Sequence, residues 1–522
     1  MMRHGFNYTK FTDFNFIARF FLLLLAVIVM SVFLTFQVEA ASRKPELSYG
    51  GYKKAIDLKR AVYSSWIRWY GKYNCGFGQW NWTQNSSFIT GIPNTNQACG
   101  SGHVVGTWQI KLVCPPGYVP DNASAPTDCT LPEDTVDPAK ETGSPDDGLN
   151  CSATKSRGNP INIATGNKFQ TEVDYVGTGS YPLQFVRKYN SQDGLWRHNY
   201  SAHLRIATDN IVMVAEDGRE SYFELNGDFA TPEPNELGVL RKQNDHWAYS
   251  SPQNKELLFD EGGQLIRVSR SPEEFHTLAY DDFGVVISDG LSNAITIHFN
   301  NLAKGQPLKL ITNGIQITYR YDSRGNLIAR DIVNGPVPVV TNYSYEDSRN
   351  PSLLTGITDG RGVRYATWKY DAQSRAILSE HANGAEQVKV SYNPDESSTV
   401  TNALGQQSTY QFEIYQGIKR ITAIEGHPSV NCPNSNSTFT YDERGLLKTK
   451  TDNKGNLTTY DYNTRGLEVS RTEAAGTPQA RTITTDWHPT LFLPVTVTEP
   501  TRITTYTYDA QGRQLSQSVT QR

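Results

Sequence analysis

The stretch Tyr441-Asp442-Glu443-Arg444-Gly445-Leu446-Leu447 decides the fold, because closely similar stretches return along the chain. The same spacing of Tyr, Asp and Gly recurs in Tyr321-Asp322-Ser323-Arg324-Gly325 and in Tyr508-Asp509-Ala510-Gln511-Gly512. Two weaker copies change one residue: Tyr370-Asp371-Ala372-Gln373-Ser374 has Ser for Gly, and Tyr462-Asn463-Thr464-Arg465-Gly466 has Asn for Asp. A motif that recurs in this way indicates a protein built from repeats.

The chemistry of the motif predicts a chain reversal. An Asp or Asn side chain accepts hydrogen bonds from backbone N–H groups a few residues on, and Gly adopts the left-handed conformation that ends a turn. A second kind of turn alternates with the first, as in Thr451-Asp452-Asn453-Lys454-Gly455, so we interpret the two as opposite ends of one hairpin. Tyrosine pairs such as Tyr506/Tyr508 have period-two spacing, which places both rings on one face of a sheet. Each repeat is therefore one hairpin.

Hairpins of this kind are marginal alone and pair edge to edge with their neighbours. We expect a mainly β fold: a repetitive antiparallel strip of hairpins, preceded by a small β domain and a small module rich in Cys and Trp. The predicted division is 1–40 signal peptide or anchor, 41–127 Cys/Trp-rich module, 128–152 linker, 153–250 β domain and 251–522 repeats. An open strip has an unpaired edge strand, for which we expect Ile503 to Tyr508 to be the seam with a partner.

The N-terminus predicts export. An uninterrupted apolar run from Phe20 to Phe36 follows three basic residues, and small residues precede a cleavage site between Ala40 and Ala41. The run is close to the roughly 20 residues that span a bilayer, so an uncleaved signal anchor is the alternative. In either case we expect the remainder of the chain outside the cytoplasm, with the membrane contacted only through this segment.

Five of the six cysteines lie between Cys75 and Cys151, and an exported chain favours disulfides over metal or redox chemistry. No C-x-x-C pair is present, so the spacing gives no support for tetrahedral zinc. The sequential pairs Cys75 with Cys99 and Cys114 with Cys129 are candidates. Six cysteines allow fifteen connectivities, however, and the sequence does not choose among them.

Tryptophans between Trp66 and Trp108 lie in the same module. Aromatic platforms of this kind stack on sugars, which gives the alternative function of a cell-surface module for carbohydrate binding or adhesion. Packing in the core of a small disulfide-linked module explains these side chains better, because buried aromatic rings dominate small cores.

The sequence offers little that suggests catalysis. The net charge is -4, and without a basic block we expect no nucleic-acid partner. Nucleophile-elbow, phosphate-loop and zinc-helix motifs are missing from the sequence. The aspartates of the repeats fit turn capping better than calcium binding, which needs several carboxylates at alternate positions. We assign no catalytic, cofactor-binding or metal-binding residue.

The repeats resemble the YD-repeat, or Rhs, family over roughly Leu257 to the C-terminus. The segment Asn159-Pro160-Ile161-Asn162-Ile163-Ala164-Thr165-Gly166-Asn167-Lys168 and the tripeptide Asp217-Gly218-Arg219 are similar to the domain of unknown function that precedes those repeats. The resemblance implies an open shell fragment whose strip spirals into a hollow β shell around a toxin, with an export route such as type VI secretion.

In that family a closing core segment and autocleavage aspartates follow the repeats, and this sequence reaches only Arg522. We therefore expect the beginning of a shell without the core or the toxin. The function expected is a non-enzymatic exported scaffold that encloses or displays a protein partner, either a separately encoded toxin or the remainder of a split Rhs protein.

Overall fold

The structure, a computed structural model, describes residues 80–84, 88–93, 108–111, 119–120, 129–130, 135–145, 154–207, 209–300, 303–335, 337–426, 436–509 and 511–522. The chain forms two compact units, Met1–Pro132 and Glu133–Arg522. The predicted signal segment with Ala40 and Ala41 lies outside the described residues. So do Cys75, Cys99 and Cys114. Cys129 lies in a short strand, and its side chain is outside the described residues.

The described residues contain forty strands, of which the first five belong to the first unit. The strands are β1 Trp80–Gln84, β2 Phe88–Pro93, β3 Trp108–Lys111, β4 Val119–Pro120, β5 Cys129–Thr130, β6 Ser156–Arg157, β7 Ile161–Asn162, β8 Phe169–Val176, β9 Gln184–Asn190, β10 Leu195–His198, β11 His203–Ile206, β12 Asn210–Val214, β13 Glu220–Asn226, β14 Phe229–Pro232, β15 Val239–Gln243, β16 His246–Ser250, β17 Glu256–Phe259, β18 Leu265–Ser269, β19 Phe275–Tyr280 and β20 Gly284–Ser288. The others are β21 Ala294–Asn300, β22 Ala303–Thr312, β23 Ile315–Tyr321, β24 Leu327–Val333, β25 Val339–Ser344, β26 Gly356–Thr358, β27 Arg364–Tyr370, β28 Ala376–His381, β29 Val388–Tyr392, β30 Ser398–Thr401, β31 Gln407–Tyr415, β32 Ile418–Gly426, β33 Ser437–Tyr441, β34 Leu447–Thr451, β35 Leu457–Tyr462, β36 Glu468–Glu473, β37 Arg481–Trp487, β38 Pro494–Thr498, β39 Arg502–Tyr508 and β40 Gln514–Gln521. One short 3-10 turn, Ala382–Gly384, follows β28.

Thirty of these strands, β11 to β40, form one sheet in which each strand pairs with the next in sequence order. Its strand pairs are antiparallel, from β11 with β12 to β39 with β40. Apolar residues at alternate positions face one side, as Ile295 and Ile297 in β21 show, both fully buried. The predicted antiparallel hairpin strip is confirmed.

The strip begins earlier than the sequence indicates. It starts at β11, so the boundary predicted at 250/251 falls between β16 and β17, which are paired over four residues. The seam predicted at Ile503 to Tyr508 is wrong, because β39 is paired on both sides. The strand that pairs on only one side in the described chain is β40.

The segment before the strip, residues 135–145 and 154–200, is called the cap segment below. It contains the β6–β7 pair and the three-stranded sheet β10-β9-β8. A single hydrophobic core joins it to the strip: Phe185 and Tyr189 of β9 belong to the same buried cluster as Leu354 and Trp368 of the repeats. The described part of the predicted linker also contacts the strip, through Asp137 N, which donates to the carbonyl of Gly417 at 2.7 Å.

Long-range contacts show how the strip of the second unit winds. Asn254, after β16, exchanges two hydrogen bonds with the backbone of Phe492, after β37 (3.2 and 3.0 Å). Glu273, after β18, pairs with Arg513, after β39, at 3.1 Å. A Cβ built on Gly466, after β35, would overlap Leu237, after β14.

In all three contacts the partner that is later in the sequence lies twenty-one strands after the earlier one. An odd number of strands brings opposite edges of an antiparallel strip together, because successive connections alternate between the two edges. The strip therefore stacks edge on edge after one winding of about 21 strands, β11 to β31, and β32 to β40 belong to the second winding.

Candidate functional site

Side chains within each Tyr-Asp turn stabilise the backbone of that turn. In the turn after β33, Asp442 Oδ1 accepts from the backbone N–H groups of Arg444 (3.0 Å) and Leu446 (2.9 Å). Gly445 has φ +78°, in the left-handed region. The aspartate thus satisfies two backbone donors while glycine reverses the chain.

The other copies use the same geometry with different residues. Equivalent pairs of hydrogen bonds are made by Asp322, Asp371, Asn463 and Asp509. The glycines at the last turn position also have positive φ, namely Gly325, Gly466 and Gly512. Ser374, which stands in place of Gly, has φ +65°. Asn463 substitutes for Asp because its amide oxygen accepts the same two bonds.

The motif tyrosines have a role that the sequence analysis missed. Each hydroxyl crosses to a backbone carbonyl earlier in the chain, on or beside the preceding strand, at 2.6–2.8 Å. The pairs are Tyr321 with Pro307, Tyr370 with Leu354, Tyr441 with Ile421, Tyr462 with Leu447 and Tyr508 with Pro494. Burial raises the pKa of Tyr321, Tyr370 and Tyr462, so these hydroxyls remain protonated donors. The tyrosine fastens each hairpin to the previous one, and its fixed place directly before Asp is the signal for this role.

The strip has two chemically similar edges. Connections after odd-numbered strands form the Tyr-Asp edge, which carries all five copies of the motif. Connections after even-numbered strands form the opposite edge, which carries the second kind of turn at Asp359, Asn402 and Asp452. There too one side-chain oxygen accepts two backbone N–H groups, as Asp452 does from Lys454 (2.8 Å) and Asn456 (2.9 Å).

The cap segment contacts part of the Tyr-Asp edge of the first winding. Gly166 accepts a hydrogen bond from the N–H of Ala376 (2.9 Å), next to the turn of Asp371. Gly194 lies against Ser352, and Lys140 donates to the carbonyl of Gln416 (2.9 Å). These contacts lie at three connections of that edge, after β27, β25 and β31.

A buried ion network joins the cap segment to the face of the strip. Asp174 of β8 accepts hydrogen bonds from Arg187 of β9, from Arg330 of β24 (2.6 Å) and from the hydroxyl of Tyr319 (2.7 Å). Arg187 in turn donates to the hydroxyl of Tyr343 at 2.7 Å. Burial by itself raises the pKa of Asp174, but the two guanidinium groups outweigh it and hold that pKa below its ordinary value.

Lys168 is a second buried charge of the cap segment. Its Nζ lies 4.1 Å from the ring centroid of Trp368 and donates to the carbonyl of Asn159 (2.7 Å) and to Gln170 Oε1 (2.7 Å). Burial lowers the pKa of Lys168 well below its ordinary value. Because its donors are directed at protein acceptors and the side chain is sealed from solvent, the contacts of Lys168 are structural.

The described residues hold no cluster of three or more His, Cys, Asp or Glu side chains placed to bind a metal ion. They also contain no helix with the length and hydropathy that a membrane crossing requires. The perturbed titratable groups described above serve packing and turn formation. The arrangement provides an extended surface whose Tyr-Asp edge is contacted by the cap segment and whose opposite edge is contacted, after β14, β16 and β18, by the second winding.

Two family models match the chain: the domain of unknown function DUF6531 over residues 158–223, and the RHS repeat over residues 441–478. The double-stranded DNA deaminase toxin A of Burkholderia cenocepacia (strain H111) is 26% identical over 296 residues, which cover 55% of this chain and 18% of that protein. The probable deoxyribonuclease RhsB of Dickeya dadantii (strain 3937) is 23% identical over 339 residues, or 58% of this chain and 23% of that protein. The chain spans about a fifth of the length of these relatives.

Solved structures with some likeness include the crystal structure of TcdB2-TccC3 without its hypervariable C-terminal region, at 11% identity and a TM-score of 0.29, covering 68% of this chain and 19% of that one. The crystal structure of TcdB2-TccC3 gives 12% identity and a TM-score of 0.28, covering 83% and 23%. At these TM-scores the likeness carries no argument, and the fold stands on the strand pairing of this chain.

Fold, motif and matched segments together define a toxin-related repeat protein of tyrosine-aspartate hairpins that follow a specific preceding domain. The two matched segments and the two relatives support an Rhs/YD-repeat family protein.

Proposed function

We propose that this chain is a non-enzymatic exported scaffold that encloses or displays a protein partner, such as a toxin cargo. The observation that carries the proposal is the edge-on-edge stacking of two windings, with the cap segment packed against part of the Tyr-Asp edge. A strip that stacks on itself separates its two faces over a long continuous surface, which is what enclosure of a protein requires.

The hydrogen-bond partners of the buried charged side chains support a scaffold over an enzyme. Asp174, Arg187 and Lys168 have their hydrogen bonds directed at one another or at protein groups, and all three are buried. A catalytic group must reach its substrate. The carbohydrate-binding alternative depends on tryptophan side chains outside the described residues, and no described contact favours it.

The non-enzymatic part is tested with the activities named for the relatives. Purified full-length chain is incubated with double-stranded DNA, and strand breaks and uracil formation are measured. We expect neither activity above a buffer control. Either product, if its amount rises in proportion to the concentration of the chain and the activity follows the chain through chromatography, overturns this part of the proposal.

The scaffold part is tested by protection. The full chain is coexpressed with the protein encoded directly downstream and purified, and the complex is digested with a protease of broad specificity. We expect the partner to be cleaved much more slowly in the complex than alone, since enclosure denies access to the protease. Equal rates of cleavage in a stable complex contradict enclosure, and failure to form a complex contradicts this partner.

A further inference from the structure

One histidine of the strip lies between two aromatic rings of the cap segment. His276 belongs to β19 and is buried. Its ring stacks on the ring of Tyr181, in the connection between β8 and β9, with a centroid distance of 4.3 Å and an interplanar angle of 19°. The ring of Tyr200, which follows β10, meets the imidazole edge-on at a centroid distance of 5.9 Å. His276 therefore joins two separate parts of the cap segment to the strip.

Both ring nitrogens of His276 take part in these contacts. Nε2 lies 3.2 Å from the carbonyl oxygen of Tyr181, and Nδ1 lies 3.1 Å from the hydroxyl of Tyr200. A carbonyl oxygen only accepts, so Nε2 carries the proton of the neutral ring and Nδ1 accepts from the Tyr200 hydroxyl. Burial raises the pKa of Tyr200, so this hydroxyl keeps the proton that it donates. The closed arrangement thus fits a neutral imidazole.

A second proton on the ring disturbs this arrangement. Protonated Nδ1 and the Tyr200 hydroxyl would both be donors in the same 3.1 Å contact. The backbone of Gln184 and the side chain of Asn199 lower the pKa of Tyr200, as donors directed at its oxygen do. A new donor at Nδ1 competes with them for that oxygen. The charged ring is therefore poorly matched to its partners in the cap segment.

The groups around His276 have mixed effects on its charge. Burial lowers the pKa of His276, and Lys255, before β17, lowers it further. The carbonyl of Tyr181 and the carboxylate of Asp289, in the turn after β20, act in the opposite direction, but burial outweighs them. Three more charged side chains act on Tyr181, namely Glu216, Arg270 and Glu274. The folded chain therefore favours the neutral ring.

The β8–β9 connection, residues 177–183, is called the flap below. Residues 178–180 of the flap are exposed. A Cβ built on Gly179 would have no neighbour within 4 Å. At the base of the flap, the N–H of Gly177 donates to the carbonyl of Leu183 at 2.8 Å, so the two ends are held together. Tyr181 joins the tip to the strip through His276 and through Arg270, which lies 5.9 Å from the centre of its ring.

We propose that the flap opens in acid: protonation of His276 breaks its contacts with Tyr181 and Tyr200, and residues 177–183 leave the strip while the flanking strands stay in place. The neutral ring closes the flap fully above the ordinary value of about 6.5, and this contribution is lost as the pH falls below it.

The flanking strands are held by groups that keep their charge state in this range. The pKa of Asp174 lies below its ordinary value, so its ion pair with Arg187 persists at pH 5. Burial lowers the pKa of His198 to about 4, so that ring is still neutral in the folded chain at pH 5. The first response to mild acid is therefore local, at the flap.

The proposal is independent of cargo enclosure and is tested by hydroxyl-radical footprinting of the full chain at pH 7 and at pH 5. Oxidation of each tyrosine is measured by mass spectrometry of its peptide. We expect oxidation of Tyr181 to rise by about twofold or more at pH 5, because opening exposes its ring. Oxidation of Tyr319, which is buried in the network at Asp174, should not change.

Three variants assign the response to the imidazole. His276→Gln keeps one donor and one acceptor and does not titrate, so Tyr181 should be oxidised equally at both pH values. His298→Gln, at an exposed position of β21, is the matched control and should keep the native rise. Tyr200→Phe removes the donor to Nδ1. It should raise oxidation of Tyr181 at pH 7 and reduce the rise in acid, which a ring held by packing alone would not show.

The other outcomes overturn the proposal. An unchanged Tyr181 in the native chain shows that the flap stays closed. An equal rise in His276→Gln assigns the response to another group. A rise that Tyr319 shares shows that acid unfolds the whole unit. If His276→Gln does not fold, the native profile and the reduced rise in Tyr200→Phe still decide.

Discussion

The two edges of the strip share one turn chemistry, but in the second winding their turns have different surroundings. Asp442 on the Tyr-Asp edge and Asp452 on the opposite edge each accept two backbone N–H groups at 2.8–3.0 Å. A Cβ built on Gly445 or Gly466 would meet a neighbouring side chain, whereas one built on Gly455 would have no neighbour within 4 Å. Local sequence sets the turn, and the winding decides which turns become buried contacts.

The largest effect on stability is expected at Asp174 of β8, which is buried in the cap segment. Asp174→Asn leaves Arg187 and Arg330 buried without their counter-charge, and breaking a buried pair in this way costs about 3–5 kcal/mol. The free energy of unfolding is measured by urea denaturation of the full chain. Asp359→Asn on the opposite edge is the matched control. It should change stability by less than about 0.5 kcal/mol, because Asn402 caps an equivalent turn and Arg361 is exposed.

The effect of Asp174→Asn also has a defined pH dependence. The pKa of Asp174 is held below its ordinary value in the folded chain, so the carboxylate stabilises the fold fully above the unfolded-state pKa of about 3.9. That stabilisation is lost as the pH falls through the folded-state pKa. The stability gap between the two proteins should therefore be constant near pH 7 and shrink below about pH 4. A gap that persists at lower pH would show that packing, and not charge, is responsible.

A second effect on stability is expected at His198, which is buried at the end of β10 in the cap segment. Burial lowers the pKa of this imidazole to about 4, so the folded chain holds it neutral. Its stabilising contribution is complete above the unfolded-state value of about 6.5 and is lost progressively as the pH falls towards 4. Between pH 6.5 and 5 we expect a loss of about 2 kcal/mol from this group.

The variant His198→Asn isolates this contribution, because an amide oxygen replaces Nδ1 as acceptor from the N–H of Tyr200 (3.3 Å) and does not titrate. Urea midpoints of both proteins are measured at pH 7 and at pH 5. We expect the native chain to lose more stability than the variant over this interval. Parallel losses in both proteins would assign the acid sensitivity to other groups.

Two glycine-to-alanine variants, one in a turn of each edge, compare the surroundings of the two edges directly. Gly466 and Gly455 have similar backbone angles, with φ +73° and +81°, but only Gly466 lies against a side chain of the other winding. Each Gly→Ala change costs about 1–2 kcal/mol, because the added Cβ disfavours the left-handed backbone conformation. Gly466→Ala adds about 1–3 kcal/mol for overpacking against Leu237. Equal losses of stability in the two variants would mean that the windings do not touch there in solution.

Much of the fold was accessible from sequence because its signals are local. The pairing of Asp or Asn with Gly specifies each turn within five residues, and alternating apolar residues specify the buried face. The strip, its antiparallel order and the family resemblance follow from these signals. The start of the strip at β11 was missed because the hairpins before residue 250 lack the tyrosine-aspartate motif.

The candidate site was harder to predict, since it depends on long-range geometry. Neither the contact of Asn254 with Phe492 nor that of Glu273 with Arg513 leaves a motif in either segment. The buried network at Asp174 joins residues up to 156 positions apart. No motif near Asp174 in the sequence indicates which residues are its partners. The tyrosine hydroxyl contacts, by contrast, recur at a fixed motif position and could have been proposed from sequence.

The smallest expected effect lies on the opposite edge, in the turn after β30. Leu404 is 85% exposed, so Leu404→Ser removes almost no apolar contact and should change the free energy of unfolding by less than about 0.5 kcal/mol. Leu237→Ser is its counterpart on the covered part of the same edge, where the side chain packs against Gly466, and it should cost about 1–2 kcal/mol. Both are measured by urea denaturation of the full chain at pH 7. A large loss of stability in Leu404→Ser would mean that this chain covers the turn after β30 in solution, and the distinction between the covered and the exposed part of this edge would then fail.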